Sequence, residues 1–246
     1  MGELIAIASG KGGTGKTSVC AGVAEALALD GCSVLCVDCD VGLRNLDISL
    51  GMADSGGLSF LDVCQGSYSC ADAPRHPRYP ALAFLTAPLR CPPDKIDRDA
   101  FGEFLRRARA DFDFIFLDAP AGLDAGFQLV SSAAEEFLLV TGPGPAAIRD
   151  AARVGEVLEL AGKRRVRLIV NRVEKQLLGT LNLTVDDVMD ETGLPLAGIV
   201  PEDISVTLAA AFGQPILAYK PHGPASAAFR RIAGRMQGCH RPVPLR

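Results

Sequence analysis

The chain has 246 residues, near the upper end of what one α/β domain holds, so a single domain over 1–246 with a large buried core is the starting expectation. Apolar residues make up 48% and charged residues 22%, which excludes a disordered chain and suits helices packed over a buried sheet. A net charge of −4 excludes a global positive field for nucleic acid, and no apolar run approaches the roughly 20 residues of a membrane-spanning helix.

Leu4–Ala8 is a short apolar run with β-branched residues, followed at once by glycines and then by the helical stretch Lys16–Leu29. Apolar runs at Val34–Val37, Leu82–Leu85, Phe114–Leu117, Phe137–Val140, Val166–Val170 and Leu196–Val200 continue as predicted strands. Helical patterns separate most of them. Ile148, Ala151, Val154 and Leu158 recur at helical spacing, as do Phe229, Ile232, Ala233 and Met236 near the end. This alternation predicts a doubly wound, mainly parallel α/β sheet with helices on both faces and ligands at the carboxyl ends of the strands. The stretch 56–80, rich in glycine and proline, is expected to be a surface excursion.

Eight cysteines, with no signal peptide ahead of them, read as reduced thiols in a cytoplasmic protein. Cys36 and Cys39 have CxxC spacing but fall in and just past a strand, where side chains alternate faces, so a shared metal is not expected. His76, His222 and His240 match no ligand spacing.

Gly10-Lys11-Gly12-Gly13-Thr14-Gly15-Lys16-Thr17 satisfies GxxxxGK[ST] with a strand before it and a helix after it. Such a loop turns tightly, so that several N–H groups and the helix N-terminus point at phosphates. Lys16 is expected to bridge the β- and γ-phosphates of ATP, and Thr17 to offer its hydroxyl to Mg²⁺. Lys11 exceeds what the motif demands. It is either a solvated charge near the phosphates or a lysine that reaches the phosphates of a second copy, which requires an ATP-dependent homodimer.

Asp38 and Asp40 follow one buried strand, and Asp118 follows another. Asp118 is the metal-side candidate, in the position of a Walker B aspartate. Asp40 is the better candidate for orienting the attacking water, with Asp38 on the metal side. The plainer alternatives are that Asp38 caps the next element and that Asp40 is a surface charge.

These residues resemble the MinD/ParA ATPases. Lys11 to Ser18 looks like their deviant Walker A. Asp38-Cys39-Asp40-Val41-Gly42-Leu43-Arg44-Asn45-Leu46-Asp47 is similar to the MinD branch in particular, and Asp118-Ala119-Pro120-Ala121-Gly122, Asn171-Arg172, Val200 to Val206 and Gly213-Gln214-Pro215 extend the match from about residue 3 to 237. The resemblance implies that Lys11 crosses a dimer interface, that Ser18 joins the nucleotide contacts, and that Asp40 with Asn45 positions the water. It also implies that Asn171 reads adenine, with Arg172, Pro201, Glu202 and Asp203 around the base and ribose; a strand-end turn residue is the plainer reading of Asn171. It further implies an ATP-bound dimer that is recruited to the inner face of the cell membrane, binds a division inhibitor and is released by a partner that stimulates hydrolysis, with docking at the helix that carries Arg149 and Asp150.

Two segments depart from that pattern. Residues 237–246 contain two prolines and only Val243 and Leu245 as apolar contacts, not the amphipathic membrane helix usual in MinD, so membrane contact is not self-evident. Thr141-Gly142-Pro143-Gly144-Pro145 is more glycine- and proline-rich than expected ahead of a docking helix. Rival readings are a DNA-partition or flagellar-number ATPase and an iron–sulfur carrier. Lys163-Arg164-Arg165-Val166-Arg167 is the concentrated basic run that DNA would need, and it reads more simply as a solvated helix end, so DNA is not the expected partner. The carrier would need a CxxC where Cys239 stands alone.

Overall fold

Each of the seven apolar runs forms a strand: β1 (Glu3–Ala8), β2 (Val34–Asp38), β3 (Leu82–Leu85), β4 (Phe114–Asp118), β5 (Glu136–Thr141), β6 (Arg165–Val173) and β7 (Leu196–Pro201). The structure is a computed structural model that describes residues 1–41, 44–55, 57–181 and 183–239, apart from the side chains of Lys175, Leu177 and Leu181. Gly42 and Leu43 of the segment that resembles MinD, and the tail residues 240–246, lie outside the described residues. The strands pair in the order β3-β2-β4-β1-β5-β6-β7, every neighbouring pair parallel.

The helices are α1 (Lys16–Leu29), α2 (Leu46–Leu50), α3 (Phe60–Cys64), α4 (Arg98–Asp111), α5 (Ala125–Ala133), α6 (Pro145–Leu160), α7 (Lys175–Leu181), α8 (Val185–Thr192), α9 (Ile204–Ala211), α10 (Ile216–Tyr219) and α11 (Pro224–Met236). Strand alternation divides the core in two. Ile5 and Ile7 of β1 face α1 and α11, where Val19, Val23, Leu27, Phe229 and Ile232 are buried. Leu4, Ala6 and Ala8 face the opposite side, with Phe101, Phe104 and Leu105 of α4 and Val154 and Leu158 of α6. Cys36 and Cys39 fall in these two different clusters, so their thiols lie on opposite faces of the sheet. With both faces covered, β1, β2 and β4 can be apolar at nearly every position, which is why they read as continuous runs.

The stretch 56–80 corrects the sequence reading: much of it is folded into the domain. Ser59 caps α3 by accepting the Leu61 N–H at 3.1 Å, and Phe60 is buried edge-on to Phe101 with ring centroids 5.5 Å apart. Residues 59 and 75 make bridges to Thr86 and Ala83, which tie the segment to the outer strand β3. His76 is buried. Its Nδ1 accepts the Arg78 and Tyr79 amides, each at 3.0 Å, which leaves Nε2–H to donate to the Leu50 carbonyl at 3.0 Å. A polar side chain with three backbone partners holds the turn where apolar packing would otherwise be required.

Candidate phosphate site

β1 delivers the chain into the glycine loop, and α1 takes it away beginning at Lys16. Gly13 and Gly15 have φ of 81° and 83°, the left-handed region in which a Cβ is penalised. Ser9 Oγ donates to the Lys11 carbonyl at 3.0 Å and tightens the turn from below. Gly10 packs against the first turns of α6: a Cβ there would come within 2.5 Å of the main-chain carbonyl of Asp150. Around Gly12 and Gly13 a Cβ would meet no atom within 4 Å, so the cradle opens on that side.

Three side chains converge beneath the loop. Pairing of β1 and β2 with β4 brings Asp118 level with Asp38 in register. Lys16 Nζ lies 3.3 Å from Asp118 Oδ1, and Thr17 Oγ1 donates to Asp118 Oδ2 at 2.7 Å. Burial lifts the Asp118 carboxyl above its ordinary range, against the pull of the Lys16 ammonium and the two hydrogen bonds.

Asp38 is buried and gives both carboxylate oxygens to main-chain amides, Oδ1 to Asp40 N–H at 2.9 Å and Oδ2 to Leu46 N–H at 3.3 Å. It therefore ties the main chain at Asp40 and at Leu46, the residue after Asn45, to the end of β2. Burial, followed by the charge of Asp118, pushes its pKa up to about 6. Asp40 is half-buried; burial raises its pKa, with Lys16 acting in the opposite sense. It is thus close enough to feel the phosphate-loop lysine, unlike a surface charge. Lys11 is exposed and makes no ion pair among the described residues.

A cavity of about 590 Å³ opens beside the loop, lined by Gly15, Ser18, Asn45, Asn171, Arg172, Pro201, Glu202 and Asp203. Every residue expected around the base and ribose therefore reaches one space. Val206 and Phe229 also line it, and sequence reading missed them as such because both sit at ordinary apolar helical positions. Asn171 is buried and donates Nδ2–H to the Thr14 carbonyl at 2.8 Å, and Arg172 Nη1 donates to the Gly13 carbonyl at 3.1 Å. The Asp203 carboxylate caps α9 and α11, accepting from Ser205 N–H at 2.9 Å and Ala225 N–H at 3.3 Å.

The donor set fits a polyphosphate. The N-terminus of α1 has no side-chain cap, and Thr14 Oγ1 is a buried hydroxyl without a hydrogen-bond partner among the described residues. An ammonium, uncapped amides and an open glycine cradle meet at that point, with Asp118 and the Thr17 hydroxyl beside them as oxygen donors suited to a small hard cation.

Comparison with known proteins agrees with this geometry. Residues 5–216 match the CobQ/CobB/MinD/ParA nucleotide binding domain. The septum site-determining protein MinD of Synechocystis sp. is 34% identical over 97% of this chain and 90% of its own. The MinC:MinD cell division protein complex of Aquifex aeolicus superposes with a TM-score of 0.90 at 35% identity, covering 98% of both chains. The septum site-determining protein MinD of Pyrococcus horikoshii, solved with Mg-ADP, gives a TM-score of 0.82 at 30% identity over 96% of both chains. The chain belongs to the CobQ/CobB/MinD/ParA nucleotide-binding family and, within it, to the septum site-determining MinD proteins.

Proposed function

We propose that the protein is an ATP-driven switch of MinD type that takes part in placing the division septum. The observation that carries this reading is the convergence of Lys16, Thr17 and Asp118 under a glycine cradle with uncapped amides. Lys16 would leave Asp118 to bridge the β- and γ-phosphates. Thr17 and Asp118, with Asp38 beside them, would hold Mg²⁺, which when bound neutralises the phosphate oxygens. Asp40, raised by burial yet near Lys16, would accept a hydrogen bond from the attacking water, with Asn45 helping to orient it.

Asn171 would read adenine. Its Nδ2 donates to the Thr14 carbonyl, which is only an acceptor, so Oδ1 remains as the amide's acceptor toward the cavity it lines. Oδ1 can there accept from the 6-amino group of adenine. Pro201, Glu202 and Asp203 would complete the base and ribose pocket. Lys11, exposed and with no ion pair among the described residues, would reach the phosphates of a second copy in an ATP-bound homodimer.

A division inhibitor and an ATPase-stimulating protein would dock on the helix that carries Arg149 and Asp150, α6, where Arg149 is exposed; the similar Aquifex aeolicus MinD was solved in a MinC:MinD complex. Among the described residues no helix is long and apolar enough to cross a membrane, so recruitment to a membrane would be peripheral. Partition on DNA is not favoured. The basic run at 163–167 gives Arg165 and Arg167 to the buried Glu136 and Lys163 to the Ala134 carbonyl, which leaves Arg164 as the unengaged cation of the run among the described residues.

The test is titration of MgATP into the wild-type chain and Lys16→Ala, with turnover measured on Asp40→Ala. Lys16→Ala is expected to lose affinity, and unchanged affinity refutes the phosphate-loop assignment. Asp40→Ala is expected to bind and not turn over; normal hydrolysis would move the water-orienting role elsewhere.

A further inference from the structure

Asn171 and Arg172 are successive residues of β6, and in a regular strand their side chains would point to opposite faces of the sheet. They do not. Asn171 reaches the carbonyl of Thr14 and Arg172 that of Gly13, so both side chains grip adjacent residues of the same loop. The backbone supplies the reason. Arg172 has φ of 58°, a left-handed conformation uncommon for a residue with a Cβ, and the register of β6 against β7 breaks between Val170 and Val173. Local strain of this kind is maintained only where the surrounding structure enforces it.

The effect on the loop follows from the planarity of the peptide unit. In a trans peptide the C=O and the following N–H point in opposite directions. Holding the Gly13 and Thr14 carbonyls on the β6 side therefore turns the Thr14 and Gly15 N–H groups toward the concave side of the loop. Gly15 is also the residue that lets the clamp seat, because a Cβ there would collide with the Asn171 amide nitrogen. On the far side, Arg172 Nε lies 3.7 Å from Oε2 of Glu202, the residue after β7, which steadies the guanidinium.

We propose that Arg172 is a positioning residue for phosphate binding: together with Asn171 it fixes two successive peptide units of the loop with their N–H groups aimed at the phosphates. The inference deepens the phosphate-loop reading and rests on it. It separates Arg172 from a base- or ribose-contacting role, because a residue that orients the cradle affects any polyphosphate, with or without a nucleoside attached.

The experiment is calorimetric binding of MgATP and of magnesium tripolyphosphate to the full chain and to its Arg172→Ala and Arg172→Lys variants, with thermal melting of each ligand-free protein. Arg172→Ala is expected to weaken both ligands by the same factor, on the order of tenfold for one charge-assisted hydrogen bond, and Arg172→Lys to recover part of the loss. Ligand-free melting should stay unchanged, since the Arg172 side chain is 54% exposed. Loss of ATP affinity with tripolyphosphate unaffected would overturn the inference in favour of a nucleoside contact. Unchanged binding of both ligands would overturn it outright, as would a drop in melting that tracks the drop in affinity. If the wild-type chain binds neither ligand, the phosphate-loop reading falls first and takes this one with it.

Discussion

Glu25 offers a prediction about stability that can be worked through in numbers. It sits in the middle of α1, the helix that starts with Lys16 and Thr17, and its side chain is fully buried in the core. Oε2 accepts the Leu217 N–H at 3.0 Å, while Oε1 has no hydrogen-bond partner among the described residues. Burial raises its pKa from 4.5 to about 8, against the opposing effect of the Leu217 and Ile216 amides. Between those two values the folded state holds a proton that the unfolded state releases. The folded protein is therefore most favoured below 4.5 and loses stability as pH rises toward 8, after which the loss levels off. Integrated from pH 5 to pH 8, the change is about 3 to 4 kcal/mol. Glu25→Gln keeps the acceptor for Leu217 and cannot ionise. Urea unfolding followed by circular dichroism at several pH values should show the two proteins close together at pH 5. By pH 8 the variant should be the more stable by about that amount. A gap that stays constant across this range would show that Glu25 does not change charge on unfolding, and the reasoning would fail.

Two glycine substitutions probe different levels of the same helix. Gly15→Ala places a Cβ at φ 83° and against the Asn171 amide, so nucleotide affinity measured by fluorescence displacement should fall sharply while the strands stay intact by circular dichroism. Gly22→Ala drives a Cβ to within 2.7 Å of three carbons of the buried Phe229 ring, and thermal or urea unfolding should report a loss of about 1 to 3 kcal/mol. A Gly22→Ala protein as stable as the wild type would mean that α1 and α11 can separate without cost.

Much of this architecture is legible in the chain because the central strands β1, β2 and β4 are buried on both faces. Val34 to Val37 and Phe114 to Leu117 are apolar without interruption, and the glycine loop sits where a strand must hand over to a helix. The aspartates at 38 and 118 read as strand-end carboxylates for the same reason. What could not be read is where polar groups find partners far along the chain. His76 lies among prolines and arginines that suggest solvent, yet it is buried through bonds to the backbone at 50, 78 and 79. Asp38 accepts the Leu46 N–H at the start of α2, the capping role that the plainer reading of its position allowed, but its second bond, to the Asp40 amide, has no signal in the spacing. The left-handed turn at Arg172 carries no glycine to announce it, so alternation alone assigns its side chain to the wrong face.

The absence of any gap between Gly10 and the main chain of Asp150 makes the glycine loop and the first turns of α6 one mechanical piece. A force applied from outside to Arg149 or Arg153, both on the open side of that helix, has a direct route inward through two backbones in contact, with no flexible side chain to absorb it. Tilting the helix by even a few tenths of an ångström would have to be answered by the loop.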